Sequence, residues 1–221
     1  MAQYGKPEYW EDRYQKYASL TLTKYFRDKE PFDWYQRYTG IKDIVTQYIQ
    51  PTFQILNIGS GNSRLAEEMY EDGYQHLTNI DISFTVIKQM QELYKEKIPN
   101  LAFKQMDVRS LQYDDGTFDA VIDKGTFDSI LCGDGSGPNA DQMLSEIYRV
   151  LSPTGVYICI TYGLPEQRMD YFRKPEFYWN PIQHKIAKPT ISTSAVVATE
   201  DKNEKNFHYI YVMRKQVDKK E

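Results

Sequence analysis

The chain has 221 residues, enough for one α/β domain with a substantial core. Its 27 Lys and Arg residues face 31 Asp and Glu residues, and this net charge of −4 disfavours nucleic acid as the main partner. Cys132 and Cys159 have neither metal-ligand nor disulfide spacing, and the three histidines add no metal-binding arrangement, so we expect no metal site. We find no secretory signal and no membrane-spanning run, and we therefore expect a soluble, cytoplasmic protein.

The N-terminal part of the chain is rich in aromatic side chains and reads as helical. We expect one helix at 7–17 and a second at about 35–49, where apolar residues recur at helical spacing. Trp10, Tyr14 and Trp34 stand in or between these helices. They either pack this segment onto the rest of the domain or cover a cationic ligand, because an aromatic face attracts positive charge; the two roles are compatible.

Strand and helix patterns then alternate along the chain. The expected elements, in chain order, are strand 53–58, helix 63–72, strand 77–82, helix 84–96 capped by Ser83, strand 101–106, strand 118–123, helix 139–151 and strand 156–161. Because this rhythm requires right-handed crossovers, it predicts a parallel sheet with helices on both faces. Strands at 176–186 and 206–213, joined by a polar stretch at about 187–205, favour an antiparallel pair at one edge.

Glycines and a carboxylate follow the first two strands. Gly59, Ser60 and Gly61 come after the first strand, and Asp81 ends the second roughly 20 residues later, the place for a carboxylate that binds ribose hydroxyls. Arg64 stands where a dinucleotide fingerprint has its third glycine, and no Walker Lys-Ser pair follows. The pattern therefore indicates a nucleotide-like ligand and disfavours nicotinamide dinucleotides and nucleoside triphosphates.

Further candidates stand at the strand ends, because a ligand of an open parallel sheet lies across the carboxyl ends of the strands. These candidates are Ile82, Asp107, Val108, Asp123, Lys124 and Tyr162. Other interpretations stay open: the glycines serve only a tight turn, Asp81 caps the following helix, Asp107 is a surface carboxylate, or Lys124 pairs with Asp128 one helical turn away.

Several sequence blocks resemble one branch of the seven-strand S-adenosylmethionine (SAM)-dependent methyltransferases. The branch is the family that contains elongation factor 1-alpha lysine methyltransferase 4 and the related dual lysine and N-terminus methyltransferase. The blocks are PEYWEDRY at 7–14, FDWY at 32–35, NIGSGNS at 57–63, NIDIS at 79–83 and FDAVIDKGTFDSIL at 118–131. The resemblance covers about residues 4–162, and its IGSGNS and DKGTFD pair is specific to this branch.

The resemblance implies a Rossmann-like, doubly wound sheet of seven strands, mostly parallel with a C-terminal antiparallel hairpin. It implies that residues 1–50 form a helical segment covering the cofactor, that 51–215 form the methyltransferase domain, and that 216–221 are a tail. It also implies SAM as cofactor, S-adenosylhomocysteine as product, and methylation of a lysine on elongation factor 1-alpha or a similar protein. A small-molecule methyltransferase and a non-catalytic module that retains the fold are the alternatives.

The family's cofactor contacts carry over onto matching positions of this chain. By resemblance they are Trp10, Tyr14 and Trp34 in the pocket wall, Gly59 under the methionine part, Asp81 at the ribose, Ile82 beside the adenine, Asp107 and Val108 at the adenine edge, and Lys124 beside the cofactor, with Ser60, Gly61 and Asp123 as neighbours on the same strand ends. The region 163–206 matches poorly, and protein-substrate recognition is expected there. The sequence identifies no catalytic base.

Overall fold

A computed structural model describes residues 3–19, 32–189 and 204–216. The strands are β1 (Ile55–Ile58), β2 (Leu77–Asp81), β3 (Ala102–Gln105), β4 (Phe118–Lys124), β5 (Leu151–Thr161), β6 (Trp179–Ala187) and β7 (Phe207–Lys215). The helices are α1 (Pro7–Ser19), α2 (Tyr38–Tyr48), α3 (Leu65–Glu71), α4 (Phe84–Tyr94), α5 (Thr126–Leu131), α6 (Ser136–Val150) and α7 (Pro165–Phe172). None of the helices in these ranges combines the length and apolar character needed to cross a membrane.

The seven strands form one sheet in the order β3-β2-β1-β4-β5-β7-β6. Strands β1 to β5 run parallel, whereas β7 is antiparallel to both β5 and β6. This arrangement confirms the predicted fold class. The chain runs outward from β1 to β3 and then returns to β4 on the other side of β1. The strand order therefore reverses between β1 and β4, which is where open α/β sheets bind their ligands.

Two apolar clusters cover the two faces of the sheet. One cluster takes Ile41 and Val45 from α2 and Val86 from α4, while the other takes Phe127 from α5 and Met143 from α6. Every residue of β1 is buried, as expected for a central parallel strand covered on both sides. The strand ends at the carboxyl edge are consequently held by packing from both layers.

The predicted helices and strands differ from the observed ones mainly in the second half of the chain. Helices α5 and α7 were not predicted, since six and eight residues are too few for helical periodicity to stand out. Strand β5 begins at Leu151 rather than 156, and its pairing with β4 shifts register between Phe118 and Ala120. The antiparallel pair β6 and β7 is confirmed, but most of the stretch expected to join them lies outside the described residues.

Candidate functional site

The loop after β1 requires glycine at two positions. Gly59 and Gly61 have φ angles of 57° and 52°, in the left-handed region that residues with a Cβ rarely adopt. A Cβ on Gly59 would lie 1.9 Å from the Thr126 hydroxyl oxygen, and one on Gly61 would lie 2.6 Å from the Tyr14 hydroxyl oxygen. The glycines therefore serve the turn and also close approaches by α5 and α1.

The Asp81 carboxylate joins this loop to the end of β2. One oxygen accepts a hydrogen bond from the Gly61 backbone N–H at 2.9 Å, and the other accepts one from the Ser83 N–H at 2.9 Å. Burial raises the pKa of Asp81 to about 6, although both hydrogen bonds oppose that rise. The Ser83 hydroxyl oxygen, as expected, caps α4 by accepting from the Val86 N–H. Asp81 is thus free of the capping role and faces the glycine loop.

The strand ends enclose a cavity, here called the rim cavity. Its empty space is about 980 Å³ including the part open to solvent. Of the twelve positions that the resemblance assigns to the cofactor site, eleven line it: Trp10, Tyr14, Trp34, Gly59, Ser60, Gly61, Asp81, Ile82, Asp107, Val108 and Lys124. Tyr162, the further candidate from the strand ends, does not line it. Residues far apart in sequence therefore meet at one edge of the sheet.

Asp123 is the predicted site residue that the structure separates from the others. Its carboxylate accepts hydrogen bonds from the backbone N–H groups of Thr126 and Phe127, at 2.8 and 3.1 Å, and from the Tyr157 hydroxyl at 2.9 Å. Burial raises its pKa to about 7. Successive side chains of a strand point to opposite faces, so Asp123 turns away from the face that Lys124 occupies. Its place is at the start of α5, not in the cavity wall.

Lys124 forms a buried ion pair that sequence reasoning missed. Its ammonium nitrogen lies 2.9 Å from an Asp33 carboxylate oxygen, and both side chains are more than nine-tenths buried. Burial lowers the pKa of Lys124, whereas the negative charge of Asp33 opposes that fall. The alternative pairing with Asp128 is wrong, because Asp128 pairs with Arg168 instead. Asp33 had a sequence signal, its place between two aromatic residues in the FDWY block.

Aromatic rings from the N-terminal segment close the rim cavity; we call Tyr4, Trp10, Tyr14 and Trp34 the aromatic cover. Ring centroids of Trp10 lie 5.7 Å from Tyr4 and 6.4 Å from both Tyr14 and Trp34. The indole N–H of Trp10 donates to the Tyr4 carbonyl oxygen at 2.7 Å, which places Tyr4 in the wall although the sequence analysis did not select it. The cover thus places four aromatic rings in the cavity wall, and an aromatic surface suits a cationic ligand.

One carboxylate on α1 fastens the aromatic cover to the sheet layer. Glu11 accepts a hydrogen bond from the Ser83 hydroxyl at 2.6 Å and one from the Thr85 backbone N–H at 3.3 Å. Burial alone would raise the pKa of Glu11, but hydrogen bonds from Ser83 and Thr85 outweigh it and lower the pKa to about 2. A negative charge at the first turn of α4 also suits the positive end of that helix.

The far end of the rim cavity follows β3. Arg109 binds the Asp107 carboxylate through its guanidinium at 2.7 Å and through its backbone N–H at 2.9 Å. Burial would raise the pKa of Asp107, but the Arg109 contacts lower it. Val108 is buried beside them. Asp107 is therefore a fixed, ionised group at the cavity wall, and Arg109 is a wall residue that the sequence analysis did not select.

The glycine loop also buries one hydroxyl group. The Ser60 side-chain oxygen is buried and finds no hydrogen-bond partner among the described residues. Burying a hydroxyl without a partner costs about 1–3 kcal/mol, so a polar ligand atom beside Ser60 would be stabilising. Within the described ranges, no group of three or more His, Cys, Asp or Glu side chains is placed to hold a metal ion.

Comparison with known proteins identifies the class. Residues 56–159 match a methyltransferase domain family. Mouse eEF1A lysine and N-terminal methyltransferase is 39% identical over 161 residues, which cover 72% of this chain and 22% of the relative. Bovine EEF1A lysine methyltransferase 4 is 32% identical over 185 residues, which cover 80% of this chain and 69% of the relative. A SAM-dependent methyltransferase from Methanosarcina mazei shares the fold with a TM-score of 0.58, at 18% identity over 85% of this chain and all of that one.

The fold, the glycine loop and the sequence match define a class I SAM-dependent methyltransferase domain. Within that class, the chain belongs to the family that includes EEF1A lysine methyltransferase 4. This confirms the resemblance drawn from the sequence blocks, and the family's cofactor is SAM. The chain spans about a fifth of the length of the eEF1A lysine and N-terminal methyltransferases that it matches.

Proposed function

We propose that this protein is a SAM-dependent protein-lysine N-methyltransferase that acts on elongation factor 1-alpha or a similar translation protein. The observation that carries the proposal is the 32% identity with bovine EEF1A lysine methyltransferase 4, over four-fifths of this chain and more than two-thirds of that enzyme. The rim cavity supports it, because it joins a carboxylate, a glycine loop and aromatic rings at the strand ends.

The residues of the rim cavity fit SAM, and we propose a role for each group. Asp81 accepts the ribose hydroxyls, since its two oxygens each have a lone pair beyond the bonds from Gly61 and Ser83. The unpartnered Ser60 hydroxyl satisfies a polar atom of the cofactor. Ile82, Val108 and Asp107 receive the adenine. SAM, when bound, supplies a methyl group on a positively charged sulfur.

The chain's own contribution is to position the reactants and to exclude water. The aromatic cover closes one side of the rim cavity. We propose that residues 1–50, which carry these rings, act as a covering segment for domain 51–215. A lysine amine must lose its proton before it acts as a nucleophile. Removal from water lowers the pKa of such an amine, so a closed, apolar site favours the reactive form. Methyl transfer of this kind requires alignment of the amine with the methyl group rather than a strong acid or base.

The direct test is methyl transfer to a defined protein. The purified chain is incubated with eEF1A and SAM carrying a labelled methyl group, and we expect label in eEF1A. Asp81→Ala should weaken SAM affinity by about 1.5–3 kcal/mol through loss of charge-assisted hydrogen bonds. Asp114→Ala is the matched control, because Asp114 is an exposed carboxylate outside the cavity wall. Absence of label from every protein of a cell lysate would contradict the proposal.

Two other outcomes distinguish the alternatives. Label confined to metabolites would indicate a small-molecule methyltransferase. No heat of SAM binding in calorimetry would indicate a non-catalytic module that retains the fold. We also propose a cytoplasmic location, which agrees with two cysteines that are both free thiols and with a protein substrate of the translation machinery. Fractionation with the soluble translation factors tests that location.

A further inference from the structure

A second cavity, here called the side cavity, opens next to the rim cavity between the aromatic cover and helices α5 and α7. Tyr4, Trp10, Trp34, Gly125 and Ser129 line both cavities, so the two cavities lie side by side and share a wall. The side cavity also reaches Cys132, Tyr162 and Gln167, which are exposed. It therefore leads from the protein surface to the place where the rim cavity meets the carboxyl end of β4.

We propose that the side cavity is the channel through which a lysine side chain, carried on the surface of a protein, reaches the methyl donor. The inference rests on the proposed function and assigns its acceptor site to particular residues. A side chain with a long flexible stem suits a passage that starts at the surface and ends at the shared wall. A backbone too bulky for the rim cavity stays outside.

The walls of the side cavity fit the two parts of a lysine side chain. Trp34, Tyr35, Tyr162 and Tyr171 line it with aromatic surface, on which a methylene stem packs favourably. The ring faces attract an ammonium group as it enters. One of these rings already receives such a group, because the Lys188 ammonium nitrogen lies 4.5 Å from the Tyr162 ring centroid.

A polar cluster around Asp128 fixes the inner wall. One Asp128 oxygen accepts from Arg168 at 2.6 Å and from the Thr161 hydroxyl. The other accepts from the Tyr35 hydroxyl at 2.6 Å and from the Tyr162 backbone N–H at 2.9 Å. The cluster thus ties together the segment before α2, the end of β5 and helices α5 and α7, which are parts of the chain that line the side cavity.

The charge balance of this cluster favours a neutral amine at the inner end. Among the residues that the structure describes, Asp128 is the only carboxylate in the side-cavity wall, and Arg168 matches its charge. No net negative charge therefore holds the proton of an entering ammonium there. Aromatic faces attract the lysine at the surface, and the charge-matched, largely buried inner wall disfavours its charged form as it reaches the donor.

Tyr35 is the positioning residue of the channel. Its φ angle of 64° is left-handed, and no other non-glycine residue among those described has a positive φ. Such a conformation persists only where surrounding contacts enforce it. The hydrogen bond to Asp128 and the packing of its ring 5.0 Å from His208 provide those contacts. The strained backbone of Tyr35 thus lies in the wall of the side cavity.

Alkylation of Cys132 tests the channel without changing the sequence. Cys132 is exposed and lines the side cavity but not the rim cavity. Cys159 is fully buried, and burial raises the pKa of its thiol, so N-ethylmaleimide reacts at Cys132. We expect the modified protein to keep its SAM dissociation constant and to methylate eEF1A at least tenfold more slowly. Cys132→Ser should show no difference between treated and untreated samples. Full activity after complete alkylation would overturn the proposal.

A pair of tyrosine variants supplies an independent test. Tyr162→Ala removes a ring at the mouth of the channel. Tyr178→Ala removes a ring that lines neither cavity but has a similar exposed fraction, 54% compared with 56% for Tyr162. We expect Tyr162→Ala to raise the KM for eEF1A by roughly 3- to 10-fold with SAM binding unchanged, and Tyr178→Ala to leave both unchanged. Equal KM values for the two variants would refute the channel. If the untreated wild-type chain transfers no labelled methyl group to any protein, the proposed function itself is refuted.

Discussion

The floor and the cover of the rim cavity are built in different ways. The floor consists of the ends of β1, β2 and β4, which backbone hydrogen bonds and two buried apolar clusters hold in place. The cover consists of the rings of Tyr4, Trp10, Tyr14 and Trp34, and a few side-chain contacts join the segments that carry them to the floor. These contacts are the ion pair of Asp33 with Lys124, the Glu11 hydrogen bonds to α4 and the approach of Tyr14 to Gly61.

Because of this difference, the stability of the fold and the closure of the site depend on different contacts. Strand pairing involves many cooperative bonds, so the floor shares the global stability of the domain. The cover depends on individual polar contacts, each with a modest free energy, so it opens more easily than the sheet unfolds. Substitutions in the floor should therefore change folding and binding together, whereas substitutions in the cover should change closure first.

The largest effect is expected at the ion pair that joins the two regions. Asp33→Ala leaves the Lys124 ammonium buried without its partner, which costs about 3 kcal/mol of unfolding free energy. The double variant Asp33→Leu with Lys124→Met should recover most of that loss, because an apolar pair needs no compensation. Urea denaturation measures both. A loss below about 0.5 kcal/mol for the single variant would show that the pair is not buried in solution.

A glycine comparison tests the floor by itself. Gly59 and Gly73 both have positive φ angles, but a Cβ on Gly73 meets no atom within 4 Å, whereas one on Gly59 collides with Thr126. We expect Gly73→Ala to lose about 1 kcal/mol from backbone strain alone and Gly59→Ala to lose about 2–3 kcal/mol. Thermal unfolding measures the difference. Equal losses would mean that α5 moves away from the loop without cost.

The pH dependence of SAM binding tests the role of Asp81. The carboxylate must be ionised to accept both ribose hydroxyls, and its pKa is raised to about 6. Binding should thus be constant above pH 7 and should weaken as pH falls through 6, by about tenfold for each unit below that value. Calorimetric titration at several pH values measures the slope. Asp81→Asn should remove this step, and a wild-type profile without it would place the ribose elsewhere.

The sequence predicted most residues of both the floor and the cover, but it did not predict the contact that joins them. Gly59, Asp81 and Val108 were found because each follows a strand, and parallel strands bring their carboxyl ends to one edge. Tyr4 and Asp33 were missed because they reach the site through tertiary packing of an irregular segment, which leaves no periodic pattern in the sequence. Asp123 was placed in the wall because its neighbour in sequence is there, although adjacent strand residues face opposite sides.

The second half of the chain was harder to predict for a related reason. Helices α5 and α7 are short, and each has one fully buried apolar residue, Phe127 and Phe172, which is too few for a repeating apolar pattern to stand out in the sequence. The side cavity depends on these two helices and on Tyr35, whose left-handed conformation no sequence pattern indicates. Side-chain networks such as that around Asp128 join residues that the topology alone does not bring together.

The smallest effect is expected where the cover meets α4. Glu11→Gln retains the shape of the side chain but weakens the hydrogen bonds from Ser83 and Thr85, and we expect a loss of about 1 kcal/mol because the site is partly open to solvent. Since the folded pKa of about 2 lies below the ordinary 4.5, this contribution is complete above pH 4.5 and disappears as pH falls towards 2.

Amide hydrogen exchange of α1 measures this effect directly, because the contact fastens the cover rather than the sheet. Glu8→Gln is the matched control, since Glu8 is an exposed carboxylate in the first turn of the same helix. Faster exchange in α1 with unchanged exchange in β1 and β4 is the expected result for Glu11→Gln. Equal acceleration in the strands would mean that cover and floor open together, and the proposed separation between the two regions would then be wrong.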